Sequence, residues 1–201
     1  MGELGEGEME ALPLEFQAAK HIAEQHYCAV AACNLPDQTV VGGRAADLDS
    51  LIEQFGIDFP GKRSARLKTE GAFHTFYMIE TAMQFRSTLA NAPLQAPSVS
   101  VLSNASGAFH TKDPDAIRAA LCIQLFSPVL WNANLNHAVE SGCQTIIEFG
   151  GGIGKGRSPA EKKPNLAGIV KKMFRRHDHP PQYSRVINID TLEKSVALCT
   201  T

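Results

Sequence analysis

A single histidine carries the clearest chemical potential in this chain. His74 stands in Gly71-Ala72-Phe73-His74-Thr75, just past a strand-like segment and at the mouth of a helix. Histidine titrates near neutral pH and is the usual general base. A strand-to-helix junction is also where loops present catalytic groups. The same residue reads equally as a packed or surface imidazole, and its own context leaves both readings open. A base needs a nucleophile. A serine nucleophile is normally held on a sharp elbow spelled Gly-x-Ser-x-Gly, and no such string occurs here. SNASGAF (103–109) and ESGCQ (140–144) contain serine and glycine at the wrong spacing.

Two further stretches could meet anions. FGGGIGKGRS (149–158) offers the backbone amides of a glycine turn. The phosphate-loop spacing fails, because Phe149 stands where the first glycine is needed and Gly156 follows Lys155. A bare glycine turn leaving a buried strand is the better reading, with Lys155 as a candidate phosphate contact. IVKKMFRRHDH (169–179) is basic. It reads as a solvated helix end that complements the helix dipole, or as a docking surface for an acidic partner.

The elements that must position these groups alternate. PLEFQAAKHIAEQH is an amphipathic helix with Leu14, Ala18, Ile22 and Ala23 on one face. YCAVAAC and QTVVGG are strands separated by the turn signal NLPDQ. RAADLDSLIEQFG is a helix with Gly56 as its stop, and KRSARLKT is a strand. With a weak first strand in GEMEALPL, residues 8 to 70 spell β-α-β-β-α-β, the ferredoxin-like order. Beyond them, TFYMIETAMQFRSTLANA is a long helix with Met78, Ala82, Phe85 and Leu89 on one face. PSVSVLSN is a strand, and DPDAIRAALCIQLF a helix capped by Asp113 or Asp115. VLWNANLNHAVESG is a helix stopped at Gly142, QTIIEFGGG a buried strand, and NLAGIVKKMFRRH a final helix. The expected fold class is α/β, with too few strands for a complete large sheet.

Composition narrows the partners. The 201 residues are 44% hydrophobic, enough for a sizeable core. The net charge of -2 gives no electrostatic argument for nucleic acid or membrane, and the longest apolar runs fall far short of a membrane span. The acidic N-terminus lacks the order of a signal peptide. Five scattered cysteines read as reduced, small buried residues of a cytoplasmic protein, without zinc-site spacing.

Five separated stretches, in order, resemble malonyl-CoA:acyl carrier protein transacylases, including the trans-acting acyltransferases of polyketide synthases. They are ACNLPDQTVVGG, GAFHT followed by Met78, PSVSVLSNASG, IQLFSPVLW and IIEFGGGIGKG. The resemblance covers residues 8 to about 175. It implies a ferredoxin-like small subdomain (1–70) followed by the C-terminal part of an α/β-hydrolase-like acyltransferase subdomain (71–201). It implies His74 as the base and the Gln124 main-chain carbonyl as the group that holds its ring. It implies Phe73 as a bulky neighbour favouring malonyl over methylmalonyl, and Asn34, in the turn, as a cleft residue. Malonyl-CoA is the implied substrate, with no permanently bound cofactor or metal. The implied partner is an acyl carrier protein of fatty acid or polyketide biosynthesis.

The departures set further expectations. The family's Gly-Pro-Gly turn is Gly150-Gly151-Gly152 here. The serine elbow, the opening glutamine-rich loop and the carboxylate-gripping arginine belong to an earlier segment that this sequence does not match. The chain alone is therefore expected to be inactive, either truncated by a start-site error or split, with its first half on a separate polypeptide or a polyketide synthase. The alternative is a non-catalytic carrier-protein or coenzyme A binding module, or a degenerate remnant.

Overall fold

A computed structural model describes residues 6–150, 152–158, 161–175 and 177–199. The fold is mixed α/β, and the chain divides into two compact units, residues 1–137 and 138–201.

The first unit is built on a four-stranded antiparallel sheet. Its strands are β1 (Glu8–Leu12), β2 (Ala29–Leu35), β3 (Gln38–Gly43) and β4 (Ala65–Leu67), in the order β2-β3-β1-β4. Helix α1 (Phe16–Gln25) joins β1 to β2, and α2 (Ala45–Asp58) joins β3 to β4. Strand alternation sorts β1 into two faces. Leu12 points to the side carrying α1 and α2, into a core with Ile22, Val41, Leu48, Leu51 and Phe55. Met9 points to the other side, where Ala31, Ala32 and Val40 meet Phe73 and Val129. Glu10 is buried, and its charge is met by Arg66 Nε at 2.9 Å from the paired position on β4. Arg66 also reaches Glu8 at 2.8 Å and Asp49 at 2.5 Å.

Helix α2 runs through Gly56 and ends at Asp58, two residues later than the glycine suggests. Phe55 and Phe59, with ring centroids 5.4 Å apart, carry the last turn, so packing overrides the local break. The helix expected from residue 75 starts as a 3-10 turn at Phe76–Met78 and becomes α3 at Ile79–Ala90. Helix α4 (Pro114–Ile123) is capped by Asp113, whose carboxylate accepts the Asp115 N–H at 3.0 Å. Arg118 on α4 donates to Leu89 O and Ala92 O at the end of α3, which ties the two helices together. Helix α5 (Trp131–Glu140) follows. Just before it, Val129 pairs with β2: Cys33 N–H donates to Val129 O, and Val129 N–H to Ala31 O.

The strand expected over 97–104 does not form. Leu102 and Phe109 make an isolated bridge, and Val99 and Val101 are exposed. A strand needs a neighbour for its backbone groups, and none of the described strands lies beside this segment.

The second unit pairs β5 (Thr145–Phe149) in parallel with β6 (Gln182–Val186). Helix α6 (Ala167–Met173) lies in the crossover, and α7 (Ile189–Cys199) follows β6. Strand β5 is half-buried, and Phe149 at its end is 72% exposed, where a buried strand was expected. NLAGIVKKMFRRH is not the final helix, since β6 and α7 come after it; Arg176 within it lies outside the described residues. The cysteines are all free, but only Cys28 and Cys33 are buried; Cys122 and Cys143 are half-buried and Cys199 is exposed.

Candidate active site

The loop between β4 and α3 carries His74 in an uncommon backbone conformation. Its φ is 61°, the left-handed region that side chains other than glycine enter at a cost. Such a conformation persists only where neighbours over-determine it, and three features do so. Ala72 is fully buried and donates its N–H to Glu6 O at 2.9 Å. Thr75 is buried, and its hydroxyl donates to Ala72 O at 2.5 Å, bridging the two residues that flank Phe73-His74. Beneath them runs Gly42 of β3, where an added Cβ would stand 3.1 Å from the Thr75 methyl and 3.2 Å from the Ala72 methyl. The bare backbone at Gly42 lets the loop lie directly on the sheet.

The His74 ring is held from the far side of the chain. Nδ1 lies 2.7 Å from the main-chain oxygen of Gln124. A carbonyl only accepts, so Nδ1 carries the proton and Nε2 presents its lone pair. Gln124 is the C-cap of α4, so its carbonyl belongs to the end of a helix that leaves acceptors unfilled. The bond to Gln124 is the one hydrogen bond of the His74 ring among the described residues, so no described hydroxyl or thiol bonds to Nε2.

Beside the ring is an apolar cavity of about 410 Å³, lined by Met9, Phe73, His74, Met78 and Leu125. His74, Phe73 and Gln124 are thus brought together. Asn34 is not among the lining residues, and it lies within β2 instead of the turn, which is Pro36-Asp37. Met9 and Leu125 were not singled out in the sequence. Leu125 had a signal, as the neighbour of Gln124. Met9 had only the alternation of a weak strand.

The glycine turn of the second unit does other work. The Gly150 N–H donates to Val186 O, and the Ile153 N–H to Lys163 O, so these amides serve the fold. Gly151, at the centre of the departed Gly-Pro-Gly, lies outside the described residues. Lys155 is exposed. Glu148 of β5 accepts from the Asn165 and Leu166 N–H groups at 2.6 and 2.8 Å and from the Tyr183 hydroxyl. Burial, and then the Glu148 carboxylate, push the Tyr183 phenol well above its ordinary range.

The described site is thus a carbonyl-held imidazole at the rim of an apolar cavity in an α/β chain. No protein-family model matches it. It is 30% identical over 178 residues to the malonyl CoA-acyl carrier protein transacylase of Bacillus subtilis, covering 86% of this chain and 52% of that one. Among solved structures, the malonyl CoA-acyl carrier protein transacylase of Clostridium perfringens superposes with a TM-score of 0.80 at 25% identity, covering 98% of this chain and 58% of that one. The structure of a malonyl-transacylase in complex with its type II PKS acyl-carrier protein contains the same fold, with a TM-score of 0.78 at 20% identity over 96% of this chain and 59% of that one. The chain is a relative of the malonyl CoA-acyl carrier protein transacylases, and it spans about half the length of the curated relatives it matches.

Proposed function

We propose that this chain supplies the base and part of the acyl chamber of a malonyl transferase that moves malonyl from malonyl-CoA to the phosphopantetheine thiol of an acyl carrier protein. The observation that carries this reading is His74 Nδ1 at 2.7 Å from Gln124 O, which leaves Nε2 free to take a proton. The nucleophile is a serine outside these 201 residues. Its Oγ attacks the thioester carbonyl while Nε2 accepts the hydroxyl proton. The carbon–sulfur bond breaks, and the same proton goes to the departing coenzyme A thiolate. In the second half, Nε2 takes the proton of the carrier thiol, whose sulfur attacks the malonyl ester; the ester carbon–oxygen bond breaks and Nε2 returns the proton to the departing serine Oγ. Gln124 holds the tautomer throughout, the role an aspartate has in a Ser-His-Asp triad.

Phe73 fills the cavity wall next to His74, and a bulky ring there disfavours a branched 2-methyl extender. Asn34 is assigned to the cleft by the same kinship. The strand order β2-β3-β1-β4 with helices after β1 and β3 supports a ferredoxin-like small subdomain over 1–70. Residues 71–201 are then the C-terminal part of an acyltransferase subdomain, acting in the cytoplasm without a resident cofactor or metal.

The chain by itself should take no covalent label from radiolabelled malonyl-CoA, and robust labelling would overturn the missing-nucleophile reading. Supplied with the serine-bearing half of the Bacillus subtilis relative, it should transfer malonyl. His74→Ala should then lower the rate roughly 10²–10⁴-fold, the usual contribution of a general base. An unchanged rate in that variant sinks the assignment of His74. Carrier-protein binding without any restored transfer would favour the binding-module alternative.

A further inference from the structure

A second cavity, of about 550 Å³, opens in the second unit and shares no lining residue with the His74 cavity. Its walls are Val170 and Phe174, both buried at α6, and the ring of Tyr183 on β6. Lys171, Arg175 and Arg185 stand around it, each exposed, and no Asp or Glu lines it. The ion pairs among the described residues involve Lys20, Arg66 and Arg118, so these three cations form none with a described carboxylate. The nearby Glu148 is already engaged by two backbone N–H groups and by the Tyr183 hydroxyl, which pins the phenol and leaves the ring as wall. In a chain of net charge -2, three cations without an ion pair around an apolar hollow are a local concentration of positive charge.

We propose that this cavity binds a small organic phosphate of the nucleoside diphosphate class, with its ring against Phe174 and Tyr183 and its phosphates on Lys171, Arg175 and Arg185. Two guanidinium forks match phosphate oxygens in a bidentate manner, and the lysine adds a mobile point charge. The apolar walls need a ligand with a ring or other apolar body, so an inorganic anion alone leaves half of the hollow unmatched. The volume falls within the range of about 300–1,000 Å³ usual for small-molecule sites.

The test is a calorimetric titration of the full chain with ADP, with adenosine and with inorganic pyrophosphate. Saturable ADP binding is expected, with adenosine and pyrophosphate each binding more weakly. The Arg175→Ala/Arg185→Ala double variant should lose affinity roughly tenfold or more, as removal of charge-assisted hydrogen bonds implies. Lys171→Ala should lose less. The replaced side chains are exposed, and an unchanged far-UV circular dichroism spectrum will show that the variants fold. Absence of saturation with millimolar ADP overturns the proposal. So does ADP affinity that is unchanged in the double variant, or pyrophosphate that binds as tightly as ADP.

Discussion

His74 bears a local cost for its position. A left-handed residue with a Cβ costs about 1–2 kcal/mol, and His74 sits there at φ 61°. Replacing it separates shape from chemistry: His74→Gly should be more stable than His74→Ala by about 1 kcal/mol, the penalty a glycine avoids, read from urea midpoints. Thr75 is the companion test. Thr75→Val leaves the buried Ala72 carbonyl without its hydroxyl donor and should cost about 1–3 kcal/mol, while Thr75→Ser should retain most of the stability. Cys28 gives a prediction in pH. Burial, and then Asp47, push its thiol from an ordinary 9.0 up to about 12, against a smaller opposing effect of Arg66. The unfolded chain therefore ionises this thiol first. Its contribution to stability is full below pH 9.0 and is lost as the pH rises toward about 12. Cys28→Ala should flatten that part of a stability-against-pH curve.

Elements with strong periodicity were legible in the sequence, and those that depend on neighbours were not. The first six elements follow from alternation and helical spacing: Leu48, Leu51 and Phe55 are buried on α2 as their spacing requires. The segment 97–104 has strand-like composition but pairs with none of the described strands beyond its isolated bridge to Phe109, so composition alone misleads. Strand β6 (Gln182–Val186) went unread because only Tyr183 and Val186 break its polar run, and its pairing with β5 is what defines it. Of the site, the position of His74 at a junction was legible, but its left-handed backbone and the bare Gly42 beneath were not, because both arise from packing between distant segments. The register of β1 and β4 places Arg66 opposite the buried Glu10. Arg66→Met leaves that buried carboxylate without its charged partner and should cost about 1–3 kcal/mol, measured by denaturation, as an unsatisfied buried acceptor does. Pairing it with Glu10→Gln should recover part of the loss.

The two units differ in how well they are filled. In the first, both faces of the sheet carry buried clusters. In the second, Val170, Phe174 and Ser195 are the buried residues among those described, while Phe149 and Ile189 are 72% and 73% exposed. Parallel strands ordinarily have both faces covered. Hydrogen exchange should therefore find β5 and β6 opening at far lower denaturant than β1 and β3. Equal protection in both units would contradict this. No described helix is long and apolar enough to cross a membrane. Sedimentation should show concentration-dependent association of the chain alone, and this should fall when the nucleophile-bearing half is added.

The bond from His74 to Gln124 joins residues fifty positions apart. In the unfolded chain the imidazole proton exchanges between the two ring nitrogens. Only after α4 has formed and docked does a carbonyl stand ready to capture Nδ1–H. The lone pair on Nε2 is thus a product of long-range closure, and the nitrogen shifts of this one ring are a clock for when the lobe has finished folding.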